Sequence, residues 1–149
     1  ETLKKVAAEP VFRDLSIWNI NGMADLLDIA ISTLEGEIAA KNKDYGKAIA
    51  RLEHAVRVED GLNYNEPPDW YYPARHSLAA VLLESGRARE AETVLWDDLR
   101  RNPENGWALA GLIECLRAQG RTERVEELRK RLDEAWSKGA TKPKSSRIL

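Results

Sequence analysis

Apolar positions in the second half of the chain recur at helical spacing, and the block they form then recurs as a whole. Leu78, Ala79, Leu82 and Leu83 make one stripe, and Leu109, Leu112, Ile113 and Leu116 make another. At a constant offset of 34, Leu78 meets Leu112, Leu82 meets Leu116, Gly86 meets Gly120, Arg87 meets Arg121 and Ala91 meets Val125. Such coincidences at one period mark an internal repeat. Each stripe ends at a glycine, Gly86 or Gly120, which suits a left-handed helix cap. A second stripe follows each glycine: Ala91, Val94, Leu95 and Leu99 in one copy, Val125, Leu128, Leu132 and Trp136 in the other. Asn102-Pro103 stops the chain between them, because proline lacks the N–H and disfavours helix just before it. The pattern predicts helical hairpins over about 72–105 and 106–136.

A more degenerate copy lies upstream, over about 29–62. Ile31, Leu34 and Ile38 form its first stripe, Asn42 to Asp44 its turn, and Ala48, Leu52, Ala55 and Val56 its second stripe. Ala48 precedes Ala91 by 43 residues, so about nine are inserted, over roughly 61–72. Residues 1–28 fit the repeat less well. Asn19 or Asn21 is a candidate N-cap for a long helix starting near Gly22. A short helix over Pro10–Trp18 would lay Phe12, Leu15 and Trp18 over the open side of the first copy. No strand pattern is visible. The fold expected is all-α: one domain over 1–136, with an N-terminal capping segment and an unstructured basic tail over 137–149.

These residues resemble the tetratricopeptide repeat family, whose period is 34 and whose two helices cross at small residues. Gly36, Ala39, Ala48 and Ala55 hold such places in the first copy, and Ala79, Ala91 and Pro103 in the second. The third departs, with Ile113, Val125 and Arg129 at places where the family usually has small or bulky apolar residues. Glu66–His76 and Asn102–Trp107 are similar to the C-terminal part of larger bacterial tetratricopeptide proteins of undefined role. The resemblance implies an α-solenoid of about three hairpins, wound as a right-handed superhelix, that acts as a non-catalytic protein-binding module.

In such a stack the first helix of each pair lines the concave side. The expected partner-binding groove therefore carries Thr33, Glu37, Ala40 and Lys41 from the first copy. It takes His76, Ala80, Leu83 and Glu84 from the second, and Trp107, Ala110, Glu114 and Arg117 from the third. Aromatic and arginine side chains are common binding anchors, so the expected partner is a protein or peptide segment. Family members that hold the acidic tails of heat-shock chaperones use a lysine, asparagine and arginine clamp. The matching places here, Thr33, Glu37, Ser77, Trp107 and Gly111, lack it, which argues against those tails as partner. Pro67-Pro68 stiffens the inserted loop, and Tyr64, Trp70, Tyr71 and Tyr72 crowd around it. Pro67, Pro68, Trp70 and Tyr71 are thus a candidate groove edge, or the aromatics anchor the loop by packing.

Charge narrows the picture. The formal net charge is −2, and Lys138, Lys142, Lys144 and Arg147 in the last thirteen residues leave −6 for residues 1–136. A body of that sign repels phosphate backbones, which disfavours nucleic acid as a partner. The longest uncharged stretch, Leu15–Ala24, has ten residues, too few to span a bilayer. With no basic-then-apolar leader visible, the default expectation is a cytoplasmic protein. One cysteine, Cys115, gives no disulfide framework and no multi-cysteine zinc site; a buried small hydrophobe is its default role. Glu37, His76 and Glu114 are the best metal-binding set available, but no ligand pair has helical metal-site spacing. Trp18, Trp96 and Trp136 are expected to pack, and His54 to be partly buried. No catalytic residue, metal or cofactor is expected. The other readings are a self-assembly domain that pairs through its open end faces and, least favoured, a metal-dependent enzyme using Glu37, His76 and Glu114.

Overall fold

The computed structural model describes residues 1–147. Eight helices and one two-stranded hairpin occur among the described residues: α1 (Thr2–Ala7), α2 (Val11–Asp14), β1 (Ser16–Ile17), β2 (Asn21–Gly22), α3 (Met23–Lys41), α4 (Tyr45–Asp60), α5 (Ala74–Glu84), α6 (Ala88–Arg101), α7 (Gly106–Ala118) and α8 (Val125–Ala135). The protein is therefore mainly helical. The chain divides into two compact units, Glu1–Ala74 and Arg75–Leu149.

The first unit is built on the α3/α4 hairpin. Asp44 caps α4, its carboxylate accepting the Lys47 N–H at 3.2 Å. The two helices cross where their residues are small. A Cβ on Gly36 would lie 2.6 Å from Cγ of Leu52 and 3.2 Å from the Ala48 carbonyl oxygen. This places Gly36 at the crossing, but the apolar stripe assigned to α3 is not buried there. Leu34 and Ile38 are 51% and 53% exposed, whereas Leu26, Ile29, Ser32, Gly36, Ala39 and Ala40 are buried. The reason is close approach: α4 packs on the small residues, which turns the larger ones away.

Two further expectations fail at the N-terminus. Pro10–Trp18 is not one helix; α2 ends at Asp14, and Ser16–Ile17 pairs antiparallel with Asn21–Gly22. That tight reversal holds Trp18 and Asn19 at positive φ and leaves Trp18 68% and Leu15 43% exposed. Neither covers the first copy as expected, although α1 and α2 do lie against α3. The N-cap of α3 is Gly22, without a side-chain hydrogen bond. Asn21, the candidate cap, is buried and serves the inserted loop instead. Leu26, Ile29, Ala55 and Ala74 form a small core, flanked by Ile17, Val56, Val58, Leu62 and Trp70.

The second unit contains the two copies of the 34-residue repeat. Gly86 and Gly120 both take the left-handed conformation, with φ of 82° and 69°, at the same point of successive hairpins. The Asn105 side chain caps α7, accepting from the N–H groups of Trp107 and Ala108 at 3.0 and 3.2 Å. Leu78, Leu82, Ala91, Leu95, Leu109, Leu112, Leu116, Val125 and Leu128 are buried, as the stripes predict. Helix α7 packs on both α6 and α8.

Candidate functional site

Of the expected groove residues in the first unit, Thr33 and Glu37 are half-buried on α3, and Lys41 is exposed at its last turn. Ala40 is buried. The inserted loop also belongs to this unit, and a polar clamp fastens it. Asn21 Nδ2 donates to the Asn63 carbonyl at 3.0 Å and to the Asp69 carboxylate at 2.7 Å. Its Oδ1 accepts the Asn63 N–H at 2.7 Å. Both faces of one buried amide are thus used. Asn65 donates to the other Asp69 oxygen at 2.9 Å.

The loop aromatics divide between solvent and core. Tyr64 and Tyr71 are 82% and 85% exposed, and a hydrogen bond to Glu66 pushes the Tyr64 phenol up from its ordinary value. Trp70 packs inward, against the small core, and Tyr72 is half-buried. Pro67 and Pro68 are exposed with Tyr71, while Trp70 is half-buried. Sequence reasoning missed Asn21 because an asparagine before a helix reads first as a cap.

In the second unit, three expected groove residues have other work. His76 is fully buried on α5, with Nε2 2.9 Å from an Asp98 carboxylate oxygen on α6. Asn102 donates to the other Asp98 oxygen at 3.0 Å. A side chain with no exposure cannot meet a partner, so His76 is a packing residue and not a groove contact. Trp107 is half-buried, edge-on to Trp136, with ring centroids 4.7 Å apart and planes at 89°. Its indole joins α7 to the end of α8. Glu114 is half-buried, and burial raises its carboxyl above the ordinary value, with Arg117 opposing.

Arg117 is exposed, as a groove contact requires. Glu84 is too, and it is paired with Arg147. That pair marks the largest difference from the expected unstructured tail. Residues 137–147 form no helix or strand, yet they are fastened to the second unit at successive points. The Trp136 indole N–H donates to the Thr141 carbonyl at 2.7 Å, and Lys142 pairs with Asp133 at 2.6 Å. Ser146 is 2% exposed, its hydroxyl donating to the main-chain carbonyl of His76 at 3.0 Å. It sits over Gly111, where an added Cβ would lie 2.7 Å from Cβ of Ser146 and 2.8 Å from a methyl of Leu95. Ile148 and Leu149, which the expected tail includes, lie outside the described residues.

The segment therefore crosses from α8 to a seat made by α5 and α7. The floor is a glycine, the acceptor is a helix carbonyl with a spare lone pair, and the rim carries Glu84. A polar, basic stretch gives no hydropathy signal for burial, which is why the seat escapes a reading of the sequence.

The remaining candidates behave as packing residues. Cys115 is fully buried, and desolvation, with Glu114 and Glu92 adding to it, pushes its thiol up to about 12. His54 lies 2.8 Å from an Asp28 carboxylate oxygen and is half-buried. Trp96 lies under Arg124, whose guanidinium carbon is 5.0 Å from the ring centroid. Among the described residues no group of three or more His, Cys, Asp and Glu side chains is arranged to hold a metal ion. Nor is any described helix long and apolar enough to cross a membrane. Comparison with protein-family models, with curated proteins and with solved structures finds no match to this chain.

Proposed function

We propose that this protein is a non-catalytic protein-interaction module, built from tetratricopeptide-like hairpins, that binds an extended segment of a partner. The observation that carries the reading is the α5–α7 face. It accommodates a stretch of non-helical chain through a glycine floor, a main-chain acceptor and an exposed carboxylate. Extended segments are commonly recognised by such a mix of main-chain bonds and side-chain pockets. The repeat spacing, with Gly86 and Gly120 in the same backbone state, supports the family resemblance. His76, the side chain best suited to acid–base or metal chemistry, is committed to Asp98 and closed to solvent, which favours binding over catalysis.

Selection of a random peptide library on the full chain tests this reading. The enriched peptides are expected to lose at least about tenfold in affinity on Glu84→Ala or Arg117→Ala, both exposed substitutions that leave the core intact. A selection that yields no binder sensitive to either substitution overturns it.

A second reading, self-assembly, draws on one patch of the first unit. Leu34 and Ile38 are half-exposed beside Leu3 and Ile31, lining a groove of about 270 Å³. Light scattering on wild type and Leu34→Glu/Ile38→Glu decides it: a concentration-dependent dimer lost in the variant supports pairing, and a monomer at all concentrations ends it.

A further inference from the structure

The C-terminal segment occupies the same helices, α5 and α7, that the interaction reading assigns to a partner. Its charge fits the occupancy. Residues 137–147 carry Lys138, Lys142, Lys144 and Arg147 with no acid, and they end on Glu84 after passing Asp133. Its shape fits as well. Ser146 is 2% exposed over Gly111, whose lack of a side chain lets the segment lie close to the helix. The His76 carbonyl accepts the serine hydroxyl at 3.0 Å. The Arg147 side chain, 12% exposed, reaches Glu84, which is 42% exposed. One position thus demands a small hydroxyl side chain, and the next a cation.

We propose that this seat is a recognition site for an extended Ser-Arg segment, and that residues 141–147 fill it in cis as a built-in competitor. A partner with a small hydroxyl residue followed by arginine binds only by displacing the chain's own 141–147 segment. The proposal rests on the interaction reading and adds to it the ligand chemistry and the means of control. A tethered segment competes at an effective concentration on the order of millimolar. A free ligand of similar contacts therefore binds the intact chain poorly and the opened chain well.

The test uses the full chain and a labelled synthetic peptide of residues 141–147, Thr-Lys-Pro-Lys-Ser-Ser-Arg, with its arginine replaced by glutamate as control. Arg147→Glu sets like charges against each other at Glu84 and opens the seat from the tail side. In that variant, amide exchange across 141–147 is expected to rise at least about tenfold while α5–α8 stay protected. The peptide is expected to bind it at least about tenfold more tightly than wild type, and the control peptide is not. Adding Glu84→Arg to the opened chain should abolish peptide binding and restore protection of the tail, because the charges are then swapped. Unchanged exchange in Arg147→Glu overturns the cis contact. A released tail with no peptide binding overturns the recognition site and leaves a structural strap. In that case a peptide library that still selects binders sensitive to Glu84 or Arg117 leaves the broader reading standing, and one that selects none removes both.

Discussion

His76 Nε2 lies 2.9 Å from the Asp98 carboxylate, and neither side chain has any exposure to solvent. The pair ties the start of α5 to the last turn of α6, and Asn102 donates to the other Asp98 oxygen. Removing one partner leaves a buried polar group without its bond, a loss of about 1–3 kcal/mol. His76→Ala and Asp98→Ala are each expected to lower the unfolding free energy by that amount, read as a lower urea midpoint. An unchanged midpoint would mean that the pair is not closed to water. A substitution at His76 thus reports on folding, and it cannot serve as a probe of partner binding.

Asn21→Ala should act locally. It removes the bonds to the Asn63 main chain and to Asp69, at a cost of roughly 1–3 kcal/mol for the groups left unpaired. Exchange of the Asn63 amide is expected to accelerate well beyond that of the α4 amides. Equal acceleration of both would show that the loop and the hairpin open together.

Gly36→Ala introduces a Cβ 2.6 Å from Leu52 and 3.2 Å from a main-chain oxygen. The backbone atom cannot step aside, so overpacking of about 1–3 kcal/mol is expected, against the small gain in helix propensity that alanine brings elsewhere. Thermal denaturation of the variant measures it. A rise in midpoint would show that α3 and α4 can separate at no cost.

Glu114 gives a pH prediction. Its folded carboxyl titrates above the ordinary value because burial disfavours the charge. The folded state therefore holds the proton more tightly than the unfolded one, and stability falls as pH rises through the ordinary carboxylate range. Glu114→Gln should be more stable than wild type at pH 7, with the difference shrinking below about pH 4. Urea titrations at the two pH values give the answer, and a difference that grows in acid would reverse the assignment.

The helical hairpins could be read directly because their signals are local. Gly86 and Gly120 punctuate stripes whose period needs no tertiary knowledge, and both take positive φ. Leu34 and Ile38 misled because α3 carries apolar residues around much of its circumference, and the small Gly36 and Ala39 won the contact with α4. The Ser16–Ile17 and Asn21–Gly22 strands are two residues each, too short to alternate. At the candidate site the exposed charges Glu84 and Arg117 were legible from helix geometry. Ser146 and Gly111 were not, since their meeting depends on where a polar segment lies down after α8.

Cys115 carries a further use. It is the chain's one thiol, fully enclosed on α7 and pushed up to about 12, so the closed molecule offers an alkylating reagent almost no thiolate. Reaction proceeds only during openings, and its rate becomes a clock for how often the second unit breathes. The clock is intrinsic, needs no added label, and can be run with the tail seated or released.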